Sequence, residues 1–178
     1  MTSVADQLRP RIRDIPDFPK PGIVFKDITP LLLDPAALDA AVTAIADWAR
    51  PRRIDLVLAA EARGFILGGA VARELGAGFV PARKPGKLPS ETVSAEYVLE
   101  YGVDALEMHA DALADGARVL LHDDLLATGG TAHALAQLVE GAGGAIAGCC
   151  FLVELTFLGG RKPLSGYDVH ALVAYDSE

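Results

Sequence analysis

The sequence predicts a doubly wound α/β fold, a mainly parallel sheet flanked by helices, and three observations predict it. Residues 55–83 and 118–155 each read as an apolar run, a glycine-containing polar turn, a helical pattern stopped by glycine, and another apolar run. Strands joined through a helix run parallel, and two such units share one sheet. A last apolar run, Val169 to Ala174, extends it. With 178 residues the chain suits one domain with its own core. That domain is taken as 1–178, with an N-terminal part to about residue 34 and an α/β core from about residue 35.

The elements follow in order. Residues 2–13 read as a short amphipathic helix. Pro16, Pro19 and Pro21 impose an extended path, and Ile23 to Ile28 alternates as a strand does. Asp34 and Pro35 form a helix start, and Leu38, Val42 and Ile45 recur at helical spacing through about Ala49. Asp55 to Ala60 is a strand, Glu61 to Gly64 a polar turn, Phe65 to Leu75 a helix ended by Gly76, and Gly78 to Arg83 the next strand. Lys84 to Tyr101 is polar and rich in turn residues, and reads as a mobile loop returning as an antiparallel strand. Asp104 to Asp111 is expected to be a turn or irregular element. Arg118 to His122 is the central strand, Thr131 to Glu140 a helix, and Ala145 to Leu155 a strand.

Composition narrows the function. The net charge of -8 argues against nucleic acid as the main partner. The only cysteines, Cys149 and Cys150, are adjacent in an apolar run. Neighbours in a strand face opposite sides, so this pair reads as two small buried residues rather than a disulfide. The polar N-terminus with Asp6, Gln7 and Arg9 is unlike a signal peptide, and no apolar stretch reaches about 20 residues, so a cytoplasmic protein without a membrane span is expected.

The chemistry concentrates in Arg118 to Thr131. An apolar run passes through Asp123 and Asp124 into Ala127-Thr-Gly-Gly-Thr131, followed by a helix. Gly129 and Gly130 let successive N–H groups converge on an anion, the helix adds its N-terminal partial charge, and Thr128 and Thr131 offer hydroxyls. No Lys follows the glycines, and they are adjacent, so this is neither a Walker loop nor a dinucleotide fingerprint. Two carboxylates beside a bare phosphate would repel it. They make sense if the ligand also carries ribose hydroxyls or a divalent cation. The turn at Glu61 to Gly64 supplies a second cationic point, Arg63, and both turns fall at carboxyl ends of strands, where such sheets bind ligands.

This segment resembles the ribose-5-phosphate site of type I phosphoribosyltransferases. Four more segments sharpen the likeness toward that family's adenine-transferring branch: Phe18 to Leu32, Glu61 to Phe65, Arg83 to Pro89, and Tyr97 to Gly102. Val153 to Leu155 adds to it. The resemblance implies a type I phosphoribosyltransferase-like fold with a small N-terminal hood over the base and a flexible loop. It implies transfer of ribose 5-phosphate from phosphoribosyl pyrophosphate to adenine, giving AMP and pyrophosphate. On it, Ala127, Thr128, Gly129, Gly130 and Thr131 would hold the 5-phosphate, and Asp123 and Asp124 the ribose hydroxyls. Arg63, Arg83 and Lys87 would hold pyrophosphate. Phe25 would stack on the purine while the backbone of Val24 and Lys26 reads its edge. Glu100 would handle a proton, so Glu100 and Arg63 are the expected catalytic residues. Mg²⁺ is expected mainly through substrate and water, with no protein ligand assigned, and a homodimer is implied. Three positions depart from the family pattern: Ala59-Ala60 before the turn, His122 before the Asp pair, and Lys26 where Arg is common. His122 is read as a structural histidine with a partner.

Overall fold

The computed structural model describes residues 3–99 and 102–177. Its centre is a five-stranded parallel sheet of β3 (Leu56–Ala60), β4 (Gly78–Ala82), β7 (Arg118–Leu126), β8 (Ala145–Leu155) and β9 (Val169–Tyr175). The order is β4-β3-β7-β8-β9. β3 reaches β4 through α4 (Gly64–Leu75), and β7 reaches β8 through α5 (Gly130–Gly141). These crossovers travel in opposite directions from the β3–β7 pair, so a common right-handed sense sets their helices on opposite faces.

Packing agrees. Leu58, Leu121 and Cys149 join α5 residues Leu135 and Val139 in one core cluster. Val57, Leu120 and Cys150 join Ile45 of α3 (Pro35–Ala49) and Val71 of α4 in another. Adjacent strand residues thus feed opposite layers, and the two buried cysteines, free thiols, divide between them. α3 begins as expected, the Asp34 carboxylate accepting from the Ala36 and Ala37 N–H groups at 3.0 and 3.3 Å.

Three expectations need correction. The N-terminal helix is only α1 (Val4–Leu8), followed by a 3-10 turn at Arg9–Arg11. Pro10 has no N–H to continue the α-helical ladder, and Arg13 already lies in strand β1 (Arg13–Ile15). β1 pairs antiparallel with β2 (Phe25–Asp27), forming a small separate sheet. A short helix, α2 (Thr29–Leu33), then precedes α3. Second, residues 104–109 are not irregular. They belong to β6 (Gly102–His109), paired with β5 (Thr92–Leu99), because Leu106 and Met108 alternate into the core beneath. Third, β7 does not stop at His122. It runs to Leu126, paired with β8 as far as Glu154, so Asp123 and Asp124 are strand residues.

Candidate active site

β3 and β7 are neighbours whose chains leave toward opposite faces, which makes the carboxyl end of this pair the switch point of the sheet. A cleft of about 330 Å³ opens there. Its walls are Ala60 to Arg63, the stretch Asp123 to Ala132, and Lys84, Tyr97 and Leu106. The volume falls in the range of small-ligand pockets.

The conformation of the 127–131 loop follows from local rules. Gly129 has φ +87°, and a Cβ there would sit 2.3 Å from the Gly160 carbonyl oxygen, so only glycine fits. α5 starts at Gly130 and points its N-terminus at the cleft. Gly64 has no left-handed backbone but is constrained by space: a Cβ would meet the Asp123 carboxylate at 2.8 Å and its Cα at 3.4 Å. This close approach sets the Glu61–Gly64 turn against the strand that carries both carboxylates. The Glu61–Ala62 peptide within that turn is cis.

Arg63 and Asp124 are joined directly. The Arg63 Nε donates to Asp124 Oδ2 at 2.5 Å, and Asp124 is only 5 % exposed. The Arg63 guanidinium also lies 5.1 Å from the centroid of the Phe25 ring. Burial, and then the Asp124 charge beside it, push the Asp123 carboxyl well above the usual carboxylate range. A pair so placed holds one negative charge more readily than two.

The other expected residues are distributed unevenly. Val24, Phe25 and Lys26 do not line the cleft, and Phe25 meets it through Arg63. Phe25 also packs edge-on against Phe18 at 5.2 Å. The Lys26 side chain is buried, its Nζ donating to Asp14 at 2.8 Å and lying 4.3 Å from the Tyr175 ring centroid. Arg83 donates to Glu61 at 3.3 Å and to the Lys87 carbonyl at 3.2 Å. The Lys84 N–H, and then Arg83, hold the Glu61 carboxyl below its ordinary range. Glu107 accepts from the Gly86 N–H at 3.0 Å, so residues 83–87 form a turn pinned by two carboxylates. Lys84 and Lys87 are both exposed, but Lys84 reaches the cleft wall, where its Nζ pairs with Asp104 at 3.1 Å. Glu100 lies outside the described residues.

Sequence reasoning missed Lys84, Tyr97 and Leu106 in the lining. Lys84 stood in the Arg83–Lys87 basic group and Tyr97 in an alternating run, but neither pattern says which member turns inward. It also missed Gly160, which backs the 127–131 loop and carries no local signal beyond a Gly-Gly pair.

His122 is fully buried, and its Nδ1 lies 2.9 Å from the Cys150 carbonyl oxygen. A carbonyl only accepts, so Nδ1 carries the hydrogen and Nε2 is a bare acceptor. Nε2 has no hydrogen-bond partner among the described residues. Burial lowers the imidazole pKa to about 4, which keeps it neutral. The structural reading of His122 holds on one nitrogen only. No cluster of three or more acidic, histidine or cysteine ligands for a metal occurs among the described residues.

A parallel sheet with a glycine loop and a helix N-terminus at its switch point, an Asp pair and a facing Arg has the chemistry that suits a phosphorylated sugar. The phosphoribosyl transferase domain matches residues 32–171, and the chain belongs to that family. Within it the similarity is to adenine phosphoribosyltransferases. The enzyme of that name from Rubrobacter xylanophilus is 58% identical over 169 residues, 94% of this chain and 91% of the relative. The crystal structure of the one from Thermoanaerobacter pseudethanolicus superposes with TM-score 0.94 at 54% identity, covering 96% of this chain and 99% of that one. The Saccharomyces cerevisiae enzyme, solved with adenine and an imino-altritol bisphosphate, gives TM-score 0.92 at 37% identity over 97% and 99% of the two chains.

Proposed function

We infer that the chain transfers the ribose 5-phosphate group of phosphoribosyl pyrophosphate to adenine, releasing AMP and pyrophosphate. One observation carries this reading: a single cleft joins the phosphate loop, the Asp pair and Arg63 in a chain that is 54–58% identical to adenine phosphoribosyltransferases.

The roles follow from charge and reach. The N–H groups of Ala127 to Thr131 and the hydroxyls of Thr128 and Thr131 hold the 5-phosphate. Asp123 and Asp124 take the ribose hydroxyls and face the positive charge that grows on the sugar as the glycosidic bond breaks. Arg63 leaves Asp124 for the departing pyrophosphate, assisted by Arg83 and Lys87, and there offsets developing negative charge. Lys84 joins them on the strength of its place in the cleft wall. Phe25 stacks on the purine, and the Val24 and Lys26 backbone reads its edge. Adenine sheds its N9 proton as the new bond forms, and Glu100 is the group assigned to take it.

Mg²⁺ fits this site as a companion of the substrate. Asp123 is biased toward its protonated form and Asp124 is engaged with Arg63, so substrate oxygens and water supply most ligands. The ion contributes charge neutralisation at the diphosphate. We further propose a homodimer in the cytoplasm. No helix among the described residues is long and apolar enough to cross a membrane.

The test is a base panel with phosphoribosyl pyrophosphate and Mg²⁺, offering adenine, hypoxanthine, guanine, xanthine and orotate. Nucleotide from adenine alone is expected. Product from another base instead would overturn the assignment of the Phe25 segment, and binding of phosphoribosyl pyrophosphate without any product would point to a sensor.

A further inference from the structure

The ion pair between the buried Glu154 and the half-exposed Arg161 lies outside the cleft and has no part in the proposed reaction. Glu154 pairs in register with Leu126, the last strand residue before the phosphate loop. It is 3 % exposed, so its charge needs a partner. Arg161 supplies one through two bonds of 2.7 Å, from Nε and Nη2 to the two carboxylate oxygens. Its remaining nitrogen donates to the Val169 carbonyl at 3.0 Å, which ties the residue to β9 as well.

Gly160 immediately precedes Arg161. A Cβ on Gly160 would sit 2.3 Å from the Ala127 carbonyl oxygen, and one on Gly129 would sit 2.3 Å from the Gly160 carbonyl oxygen. The two backbones are therefore in direct contact on both sides of Thr128. The segment that touches the phosphate loop from behind is the segment that Arg161 clamps.

We propose that Arg161, through Glu154, is a positioning residue for the 5-phosphate: it holds Gly160 as a rigid backing that fixes the N–H groups of residues 127–131. The idea rests on the reading of that loop as the phosphate site. Anion-binding amides lose much of their advantage when displaced by a fraction of an ångström.

The test is calorimetric binding of ribose 5-phosphate, which needs no turnover, together with steady-state kinetics and melting. Three proteins are compared: the unsubstituted chain, Arg161→Met, and the double variant Glu154→Gln/Arg161→Met. The double variant removes the stranded buried charge along with the clamp. Ribose 5-phosphate affinity and the KM for phosphoribosyl pyrophosphate should each worsen about tenfold in both variants, with the KM for adenine within about twofold. Melting should recover in the double variant while phosphate affinity does not. Affinity that recovers along with melting would make the pair merely structural and overturn the proposal. Undiminished affinity in Arg161→Met would overturn it while leaving the phosphate site intact. Failure of the unsubstituted protein to bind ribose 5-phosphate would overturn the phosphate-site reading and the proposal together.

Discussion

Two residues show how the site's electrostatics arise from burial rather than from composition. Arg63 reaches both Asp124 and the Phe25 ring, so one cation joins the carboxylate pair of β7 to the N-terminal segment around β2. Its place in a polar turn after a strand was legible in the sequence. Its partner was not, because nothing local says which of two adjacent carboxylates faces it. His122 is the second case. An imidazole whose pKa is about 4 in the fold and 6.5 as the ordinary value binds fewer protons folded than unfolded between those limits. Stability therefore falls as pH drops through 6.5 and levels off near 4, a loss of about 3 kcal/mol for this one group. His122→Val lacks that term. Its unfolding free energy relative to the parent should rise steadily between pH 7 and pH 4.5 in denaturant titrations. A difference that stays constant with pH would mean the imidazole titrates near its ordinary value and its environment is wetter than its burial implies.

Among the elements, those whose residues alternate or recur without interruption were legible, and those that depend on distant partners were not. α3 and α4 carry their own start and stop signals: Asp34-Pro35 opens one, and Gly76, with φ +67°, closes the other. β6 does not, since Asp104 and Ala105 break the alternation and only the pairing to β5 restores it. β7 was cut short because Asp123-Asp124 resembles a strand end, yet Leu125 and Leu126 continue the ladder against Val153 and Glu154. The 127–131 loop combines the two situations: its glycines were visible, their backing by Gly160 was not. That backing gives a test. Gly129→Ala faces both a left-handed backbone and the Gly160 carbonyl, whereas Gly116→Ala faces φ +71° with open space around it. Both variants carry the conformational cost, and only Gly129→Ala should also lose AMP affinity by tenfold or more, with destabilisation of about 2 kcal/mol, or about 4–8 °C in melting. Equal effects in the two variants, with AMP bound normally, would show that the loop tolerates displacement from Gly160.

At the scale of the whole molecule, the cleft is assembled from segments far apart in the chain: the turn after β3, Lys84 beyond β4, the β5–β6 hairpin, and the loop after β7. The sheet order makes this possible by setting β3 beside β7, and the hairpin completes it because Leu106 and Met108 anchor it in the core below the cleft. Neither adjacency is encoded locally; one follows from how two crossovers share the five-stranded sheet, the other from how a separate two-stranded hairpin packs on it. A ligand that fills this cleft must contact all of these segments at once, and each contact adds to the free energy of the closed arrangement. Phosphoribosyl pyrophosphate at a hundred times its dissociation constant should stabilise the fold by about 2.7 kcal/mol. Under the same conditions, amide hydrogen exchange should slow most in residues 60–64, 92–99 and 127–132, beyond the general slowing that the added global stability brings to core amides such as those of α3. Extra protection confined to 127–132 would mean that the sugar phosphate binds without engaging the turn or the hairpin. The pyrophosphate roles of Arg63 and Lys84 would then be wrong, though the phosphate loop would stand.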